Sequence, residues 1–252
     1  MENKTSETQQ GIVYSTPEIE QHFRTHRIKW DHLYDSERTV ISRMDLPRET
    51  RVLDVGCGCG GFGLALLEKF GIVDYTGIEI NEQAAKTARE MNARARIFHA
   101  DFLGFASSDV PPESYDLVAS LSCIDWNVGF DVALPKAFKY VRPGGYFLAS
   151  FRLTADPTID DPVKSYQYIN FGGELSGERA AYVVLNATEL MERLKGLKPE
   201  RISGYGYWGR PSMTAVTPFK QLCFAVFCVR KPLRENSGTG VEVDLQLPEG
   251  LL

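Results

Sequence analysis

Glycines and carboxylates follow short apolar runs in the first half of this 252-residue chain. The stretch VLDVGCGCGGFG, at residues 52–63, joins an apolar run to a helical pattern through a turn that contains Gly56, Gly58 and Gly60. Glycine adopts positive φ readily and lets a ligand approach the main chain closely. The free N–H groups at the start of the next helix would face that ligand. The turn therefore predicts a ligand-binding loop, with a purely structural tight turn as the alternative.

Three carboxylates indicate which ligand this turn holds. With Gly61 as its third glycine, the turn fits the G-x-G-x-x-G pattern of dinucleotide sites. Asp54 would repel a pyrophosphate, because both are negative, but it suits a ligand with a positive amine. Glu79 ends the next apolar run and can accept both hydroxyls of a ribose, as in NAD proteins. Asp101, in HADF, can accept from an adenine amino group, with Phe102 packing nearby.

The periodicity around these residues predicts the elements that position them. Five strands are predicted at RVLDV, DYTGIEI, ARIFHAD, SYDLVASLS and GGYFLASFRL, and helical patterns follow the first, second and fourth. Strands that alternate with helices predict an α/β fold with a doubly wound, mostly parallel sheet. Ligands bind such sheets beyond the carboxyl ends of the strands, at the switch in strand order, where residues 52–63 would lie.

The remainder of the chain predicts a leader, an insertion and two closing strands. Residues 17–45 predict a helical leader, and residues 154–186 have no clear period and predict a substrate-side insertion after the fifth strand. PERISGYGYW and QLCFAVFCVRK predict the closing strands. The expected parts are a disordered start at 1–12, lid helices within 1–48, one domain at 49–232 and a flexible tail at 233–252.

Composition and cysteine usage narrow the function classes. The net charge of −5 argues against non-specific nucleic-acid binding, which needs a basic face. No apolar run approaches the roughly 20 residues that cross a bilayer, and the polar N-terminus lacks the apolar core of a signal peptide. Cys57 and Cys59 lack the partners of a zinc site, so we expect reduced thiols, no metal and a soluble cytoplasmic protein. His99 is expected in the core.

The glycine turn and four further motifs carry a family resemblance. Together with VLDVGCGCGGFG, the segments GIEIN, HADF, YDLVASLS and VRPGGYFLASF resemble, in order and spacing, the motifs of class I S-adenosylmethionine-dependent methyltransferases over about residues 50–152. The two closing strands also fit that fold, a Rossmann-like seven-stranded sheet whose last strand is antiparallel. The resemblance implies that the protein is a methyltransferase with S-adenosylmethionine as its cofactor.

The resemblance also implies a role for each motif residue. The main chain at the three glycines would pass the methionine moiety, Asp54 would organise that loop and the amine, and Glu79 would hold the ribose diol. Asp101 would bind the adenine amine. The residues beside the adenine ring and the transferred methyl group would be Ile80, Phe102, Ser120 and Leu121.

The acceptor side of the site is less well specified. Asp125, in SCIDW, could act as a general base for a hydroxyl acceptor, or it could cap its loop. LSCIDW departs from the Asn/Asp-Pro-Pro-aromatic motif of methyltransferases that act on adenine or glutamine, so we expect neither substrate. We expect a small molecule, such as a sugar, a nucleotide-linked sugar or a secondary metabolite, methylated at oxygen or nitrogen.

Aromatic side chains in two segments are candidates to contact that small molecule. Aromatic residues on loops commonly line small-molecule pockets, with packing of the insertion on the sheet as the alternative. The candidates are Tyr166, Tyr168, Tyr207 and Trp208.

The leader raises two further alternatives. Arg24, Arg27 and Lys29 could meet an anionic substrate or could form a solvated helix face. Trp30 and Tyr34, one helical turn apart, could be core residues or a lid over the cofactor.

Two other functions remain open at this stage. An NAD(P)-dependent oxidoreductase would use the same glycines but would leave Asp54 and Asp101 without roles. A non-catalytic protein that binds S-adenosylmethionine and serves as a partner or regulatory subunit would retain both the glycines and the acids. Many proteins of this fold form homodimers, but the sequence does not indicate the oligomeric state.

Overall fold

The computed structural model describes residues 17–170, 172–233 and 240–252. The segment predicted to be disordered, 1–12, lies outside the described residues. The first half contains α1 (Pro17–Phe23), a 3-10 turn at Trp30–His32, α2 (Asp35–Ile41), β1 (Val52–Val55), α3 (Gly61–Phe70), β2 (Tyr75–Glu79), α4 (Glu82–Met91), β3 (Arg96–His99) and β4 (Tyr115–Ser120). The second half contains a 3-10 turn at Ile124–Trp126, α5 (Phe130–Tyr140), β5 (Val141–Thr154), β6 (Tyr166–Tyr168), β7 (Arg179–Ala181), β8 (Leu185–Asn186), α6 (Ala187–Gly196), β9 (Arg201–Gly209), β10 (Ala215–Val216), β11 (Leu222–Arg230) and β12 (Glu242–Gln246).

The central sheet confirms the predicted doubly wound, mostly parallel α/β fold. Its order in the described part of the chain is β12-β9-β11-β5-β4-β1-β2-β3, with β8 beside β5. The first five strands pair in parallel, and β11 lies antiparallel between β5 and β9. The strand order reverses at β1, between β2 and β4, so a crevice opens beyond the carboxyl ends of these three strands. The short strands β8 and β12 extend the sheet beyond the seven strands expected.

Two hydrophobic layers hold the sheet. Side chains alternate across a strand, so Leu53 packs on one face of the sheet in a cluster with Phe130 of α5 and Leu190 of α6. Val52 points to the opposite face and packs in a second cluster with Leu66 of α3. All four residues of β1 are buried, as expected for a parallel strand covered on both faces.

Helix boundaries near the crevice follow from local residue chemistry. The Asn81 side chain accepts a hydrogen bond from Ala84 N at 3.0 Å, so it caps α4 directly after β2, as predicted. Gly71 adopts φ +71° and ends α3. These boundaries fix the first turns of α3 and α4 beside the carboxyl ends of β1 and β2.

The leader over residues 17–45 is helical in three short pieces rather than throughout. It consists of α1, a 3-10 turn and α2, and Arg27 adopts φ +61° between α1 and the 3-10 turn. A non-glycine residue in the left-handed region does not continue a right-handed helix. The break turns the leader back across the crevice.

The insertion and the end of the chain are more ordered than the sequence indicated. β6 and β7 of the insertion form a small antiparallel sheet with β10, which lies in the connection between β9 and β11. The prediction of a flexible tail is wrong for residues 242–246, because β12 pairs in parallel with β9. Its pairing is reinforced by Arg201, which contacts Asp244 at 2.9 Å and Glu242 at 3.5 Å.

Candidate active site

A cavity of about 400 Å³ lies beyond the carboxyl ends of β1, β2 and β4. The glycine turn, the first turn of α4, the loop after β3, the segment after β4 and the leader form its walls. The predicted cofactor residues that line it are Asp54, Gly56, Gly58, Glu79, Ile80, Asp101, Phe102 and Leu121.

Two of the predicted cofactor residues lie outside this lining. Gly60 begins α3 with φ +76°, and a Cβ there would be 2.5 Å from the Asn92 side chain, so this glycine faces α4. Ser120 is fully buried, and its hydroxyl accepts from Ile124 N at 3.3 Å. Ser120 therefore supports the segment after β4 from behind.

The glycine turn and Glu79 hold each other in place. Gly58 adopts φ +53° and donates its N–H to Glu79 Oε2 at 2.8 Å, while Asn81 N donates to Glu79 Oε1 at 2.8 Å. Burial raises the pKa of Glu79, and the hydrogen bonds from backbone N–H groups limit that rise. Each carboxylate oxygen has two acceptor positions, so Glu79 can still accept from a pair of hydroxyl groups.

Asp54 is a second buried carboxylate in the same cavity. It is 3% exposed, and its Oδ2 accepts from the Tyr75 hydroxyl at 2.5 Å. Burial, reinforced by the nearby Glu79, raises the pKa of Asp54 to about 7, although Tyr75 and Arg27 act in the opposite direction. A bound cation would favour the ionised form of Asp54.

The wall formed by the loop after β3 combines a flat apolar surface with an exposed acid. Phe102 is buried, and the Lys136 ammonium lies 5.2 Å from its ring centroid while donating to Leu103 O at 2.7 Å. Asp101 is exposed beside it and accepts from Leu103 N at 3.0 Å. This wall can take an aromatic ring with an amino group at its edge.

The leader covers the cavity from the opposite side. Arg27 donates to Glu37 Oε1 at 2.7 Å, and its guanidinium lies 4.7 Å from the Tyr34 ring centroid. The leader approaches α3 so closely that a Cβ on Gly61 would lie 2.5 Å from Arg27 O. Arg27 and Tyr34 both line the cavity, whereas Trp30 packs edge-on against Phe70, 5.5 Å between centroids.

The basic residues of the leader divide between surface and cavity. Arg24 pairs on the surface with Glu90 at 2.6 Å, and Lys29 is exposed. Arg27 points inward instead, because its left-handed backbone reverses the chain at that residue. The sequence carried no periodic signal for this difference, since the reversal depends on packing against Gly61.

Asp125 lies in an ion pair and is absent from the cavity lining within the described residues. It is 4% exposed, and its Oδ2 is 3.4 Å from Arg152 Nη2. The Arg152 guanidinium also stacks between Trp126 and Tyr182, 4.3 and 4.0 Å from their ring centroids. Burial raises the pKa of Asp125, and Arg152 opposes that shift. The pair thus braces the turn that brings Trp126 and the next residue, Asn127, into the wall.

A second cavity adjoins this one and is lined by residues of the leader and the insertion. The four aromatic substrate candidates line neither of the two cavities. Tyr166 and Tyr168 contact each other edge to face at 5.5 Å between centroids, and Arg179 lies 4.8 Å from the Tyr166 ring. Tyr207 lies 6.2 Å from Phe224, and Trp208 is 37% exposed. Residues between and after the two tyrosines line the neighbouring cavity, because neighbouring strand residues face opposite sides.

Four further features can be described in the part of the chain that the structure covers. His99 is exposed and its Nε2 lies 3.1 Å from Ile80 O, so its expected place in the core is wrong. All five cysteines are free thiols. No metal-binding cluster of His, Cys, Asp or Glu occurs among the described residues. No helix there is long and apolar enough to cross a membrane.

The cavity as a whole fits a ligand with a ribose, an aromatic base and a positive charge. Glu79 offers acceptors for a diol, and the Phe102 wall offers a surface for the base. The acids Glu20, Asp54, Glu79 and Asp101 face it, whereas Arg27 is its one permanently charged cation among the described lining residues. This charge balance disfavours a pyrophosphate and suits the sulfonium and amine of S-adenosylmethionine.

Comparisons with known proteins agree with this geometry. Residues 53–147 match the family model described as a methyltransferase domain. The chain is 30% identical over 117 residues to trans-aconitate 2-methyltransferase from Variovorax paradoxus, covering 44% of each chain. It is 33% identical over 114 residues to fatty-acid O-methyltransferase from Mycolicibacterium smegmatis, covering 44% of this chain and 39% of that one. The chain thus spans less than half the length of these relatives.

The fold also has a close counterpart among solved structures. A SAM-dependent methyltransferase from Methanosarcina mazei superposes with a TM-score of 0.59 over 80% of this chain and 99% of that chain, at 16% identity. At this identity the likeness concerns the fold, while the motif-bearing region matches the family model in sequence. Residues 53–147 thus match a methyltransferase domain in sequence, in a chain with the fold of a SAM-dependent methyltransferase of known structure, which indicates S-adenosylmethionine as the cofactor.

Proposed function

We propose that this protein transfers the methyl group of S-adenosylmethionine to a small acceptor molecule, at oxygen or nitrogen. The observation that carries the proposal is the pair of buried carboxylates, Asp54 and Glu79, at the ends of adjacent parallel strands in one cavity. The relatives named above, a trans-aconitate 2-methyltransferase and a fatty-acid O-methyltransferase, also support a small acceptor.

The residues of the cavity would divide the work of binding. The main chain of the glycine turn at Gly58, where an added Cβ would meet nothing within 4 Å, would pass the methionine moiety. Glu79 would hold the ribose hydroxyls and Asp101 the base edge. Asp54 would stabilise the positive end of the cofactor from below. When bound, S-adenosylmethionine supplies the electrophilic methyl group and a neutral thioether leaving group.

The chain itself would supply orientation and exclusion of water. The leader residues up to 48 would act as a lid over the domain at 49–232, with Arg27 and Tyr34 closing the cavity. Holding the acceptor in line with the methyl group converts a bimolecular encounter into an oriented one, which contributes several kcal/mol. A dry cavity also strengthens each electrostatic contact inside it.

His26 is the side chain that we propose as proton acceptor when the acceptor carries a proton. It lines the cavity, and its Nδ1 lies 3.0 Å from His22 O. A carbonyl oxygen only accepts, so this contact favours the tautomer with Nδ1–H and leaves Nε2 as the basic nitrogen. Histidine is the side chain that most often serves as a general base in enzymes.

The cofactor part of the proposal is tested by calorimetric titration with S-adenosylmethionine, S-adenosylhomocysteine and NADH. We expect both adenosyl ligands to bind, Glu79→Ala to weaken them at least about tenfold, and NADH to leave no signal. Glu82→Ala, an exposed acid in the first turn of α4, is the control and should bind as wild type does. Preferential NADH binding would return the site to a nicotinamide-dependent oxidoreductase.

The catalytic part is tested by following S-adenosylhomocysteine formation with a panel of small acceptors. Turnover that depends on the acceptor supports a methyltransferase. Tight adenosyl binding with no turnover on any acceptor would instead favour a non-catalytic partner or regulatory protein.

A further inference from the structure

A second cavity, of about 500 Å³, adjoins the cofactor cavity. The two share five lining residues: Phe23, His26, Arg27, Tyr34 and Trp126. A molecule in the second cavity therefore lies against the open end of the first. This is the position that an acceptor requires, since methyl transfer needs direct contact with the donor.

The charge of the second cavity is opposite to that of the first. Its ionisable lining residues are His22, His26, His32 and Arg27, and no acidic side chain lines it among the residues that the structure describes. The cofactor cavity, in contrast, is faced by four carboxylates. A cationic acceptor gains nothing from a basic wall, whereas an anion does.

Arg27 lies where the two cavities meet, and its guanidinium has an N–H group without a hydrogen-bond partner among the described residues. Its Nη2 is bonded to Glu37 Oε1, and its Nη1 is shielded from solvent and has no hydrogen-bond partner within the described residues. The other oxygen of Glu37 accepts from Tyr34 N at 2.9 Å, so both oxygens of Glu37 already have a partner. A buried donor without a partner is costly, so an anion that reaches Nη1 replaces a penalty by a charge-assisted bond.

The amount of positive charge favours a carboxylate over a phosphate. Arg27 is the only permanently charged cation in the described lining, and Glu37 already offsets part of its charge. His22 and His26 stack at 3.9 Å between centroids, and burial together with His26 lowers the pKa of His22, which reduces the positive charge that His22 adds to this wall. A monoanion matches that balance better than a dianion does.

The remaining wall indicates the body of the molecule. Phe23, Tyr34, Trp126 and Ile169 provide an apolar and aromatic surface, and the Gln167 amide adds a donor. Gln167 donates to Ser212 Oγ at 3.2 Å through one N–H, and the amide carries a second. An organic carboxylate with an apolar or aromatic body fits this combination.

We propose that the second cavity is the acceptor subsite and that it selects small organic carboxylates, with Arg27 and His32 recognising the carboxylate. This inference rests on the proposed methyltransferase function.

The test compares the binding of small probes in the presence of saturating S-adenosylhomocysteine. The cofactor site is then filled, so a probe carboxylate cannot bind in the place of the cofactor's own carboxylate. The probes are phenylacetate and octanoate, with phenylacetamide and octanamide as their uncharged counterparts and benzylphosphonate as a dianion. Ligand-observed NMR measures the binding of each probe. We expect at least one carboxylate to bind about tenfold or more tightly than its amide. Equal binding of acid and amide, stronger binding of the phosphonate, or no binding of any probe would overturn the proposal.

Variants assign the effect to this cavity. His32→Gln, which lies outside the cofactor cavity, should weaken the bound carboxylate several-fold without changing the affinity for S-adenosylhomocysteine. Because Arg27→Gln alone leaves Glu37 buried and unpaired, Arg27→Gln/Glu37→Gln is the variant to use, and it should abolish the preference for acid over amide. Lys29→Gln removes an exposed positive charge of the leader outside both cavities and is the control, which should leave both affinities unchanged.

The variants also separate this inference from the proposed function. Normal S-adenosylhomocysteine binding with no effect of His32→Gln or the double variant on the carboxylate overturns the inference alone. If the wild-type protein does not bind S-adenosylhomocysteine, the proposed function itself is contradicted.

Discussion

The two adjoining cavities differ in how they are built. The cofactor cavity lies at the edge of the sheet formed by the carboxyl ends of the parallel strands. Four acids line it, three from the ends of strands and one from the leader. The second cavity is formed by a leader with a reversed backbone and by β6 of the insertion, and its ionisable groups are basic. An edge of a parallel sheet brings consecutive strand ends together by rule, whereas a leader and an insertion meet only through tertiary packing. Under the proposed function, binding of the methyl donor depends on the edge of the sheet, and the choice of acceptor depends on the leader and the insertion.

The largest expected effect concerns the brace between the two cavities. Arg152→Ala leaves Asp125 buried without its cation and removes the stack on Trp126 and Tyr182, so we expect the free energy of unfolding to fall by about 3–5 kcal/mol. Urea denaturation measures this. Arg142→Ala, which breaks a surface ion pair with Asp116, should cost less than about 1 kcal/mol.

A double variant distinguishes a brace from a chemical role at the same place. Asp125→Leu/Arg152→Met removes both buried charges and should recover most of the lost stability. Retained S-adenosylhomocysteine binding in this variant would support a positioning role for the pair. A double variant as unstable as Arg152→Ala would show that the charges themselves are required.

The next effect tests the acidic character of the cofactor cavity. The pKa of Asp54, about 7 in the folded protein, is above its ordinary value near 3.8, so the folded state binds more protons between these limits. The free energy of unfolding should therefore decrease as the pH rises from about 4 to 7, and Asp54 alone contributes on the order of 2–4 kcal/mol.

Asp54→Asn checks that contribution, because the asparagine oxygen can still accept from the Tyr75 hydroxyl. Denaturation curves measured from pH 4 to 8 should show a smaller decrease for the variant than for the wild-type protein. Parallel curves for the two proteins would mean that Asp54 titrates at an ordinary pH and that the cavity is wetter than its burial indicates.

The same contrast explains what the sequence could predict. Glu79 and Asp101 were located from the ends of apolar runs, because parallel strands carry their carboxyl-terminal residues to one edge. The sequence does not indicate Gln167 and does not distinguish Arg27 from Arg24 and Lys29, since neither a reversed leader nor the pairing of β6 with β10 has a local periodic signal. Tyr166 and Tyr168 were chosen for their residue type, and the alternation of the strand turned them away from the cavity.

The prediction of a flexible tail is wrong for a different reason. The segment VEVDLQL alternates apolar and polar residues, which is a strand signal, but a short edge strand after a charged segment resembles a loose end. Its order comes from pairing with β9 and from the ion pairs of Arg201, which only the folded structure brings together.

A smaller effect tests the glycine turn as part of the cofactor cavity. Gly58→Ala places a Cβ at φ +53°, which costs roughly 1 kcal/mol, in space that is open in the structure. We expect the affinity for S-adenosylhomocysteine to fall about tenfold, because the added methyl group enters the space of the ligand. Gly177→Ala is a matched control with φ +99° and equally open surroundings outside both cavities. It should lose a similar stability and no affinity, and an equal affinity loss in both variants would contradict the assignment of Gly58.

The smallest effect concerns the alternation along β6 that gives the second cavity its polarity. Gln167→Ala should weaken the bound carboxylate about two- to fivefold, because one hydrogen bond to a charged group is lost in a partly hydrated site. Tyr168→Ala should leave that affinity within experimental error, since the ring packs against Tyr166 on the other face of the strand. NMR titration in saturating S-adenosylhomocysteine measures both. A larger loss of carboxylate affinity for Tyr168→Ala than for Gln167→Ala would place the acceptor on the opposite face of β6. The acceptor would then lie outside the second cavity.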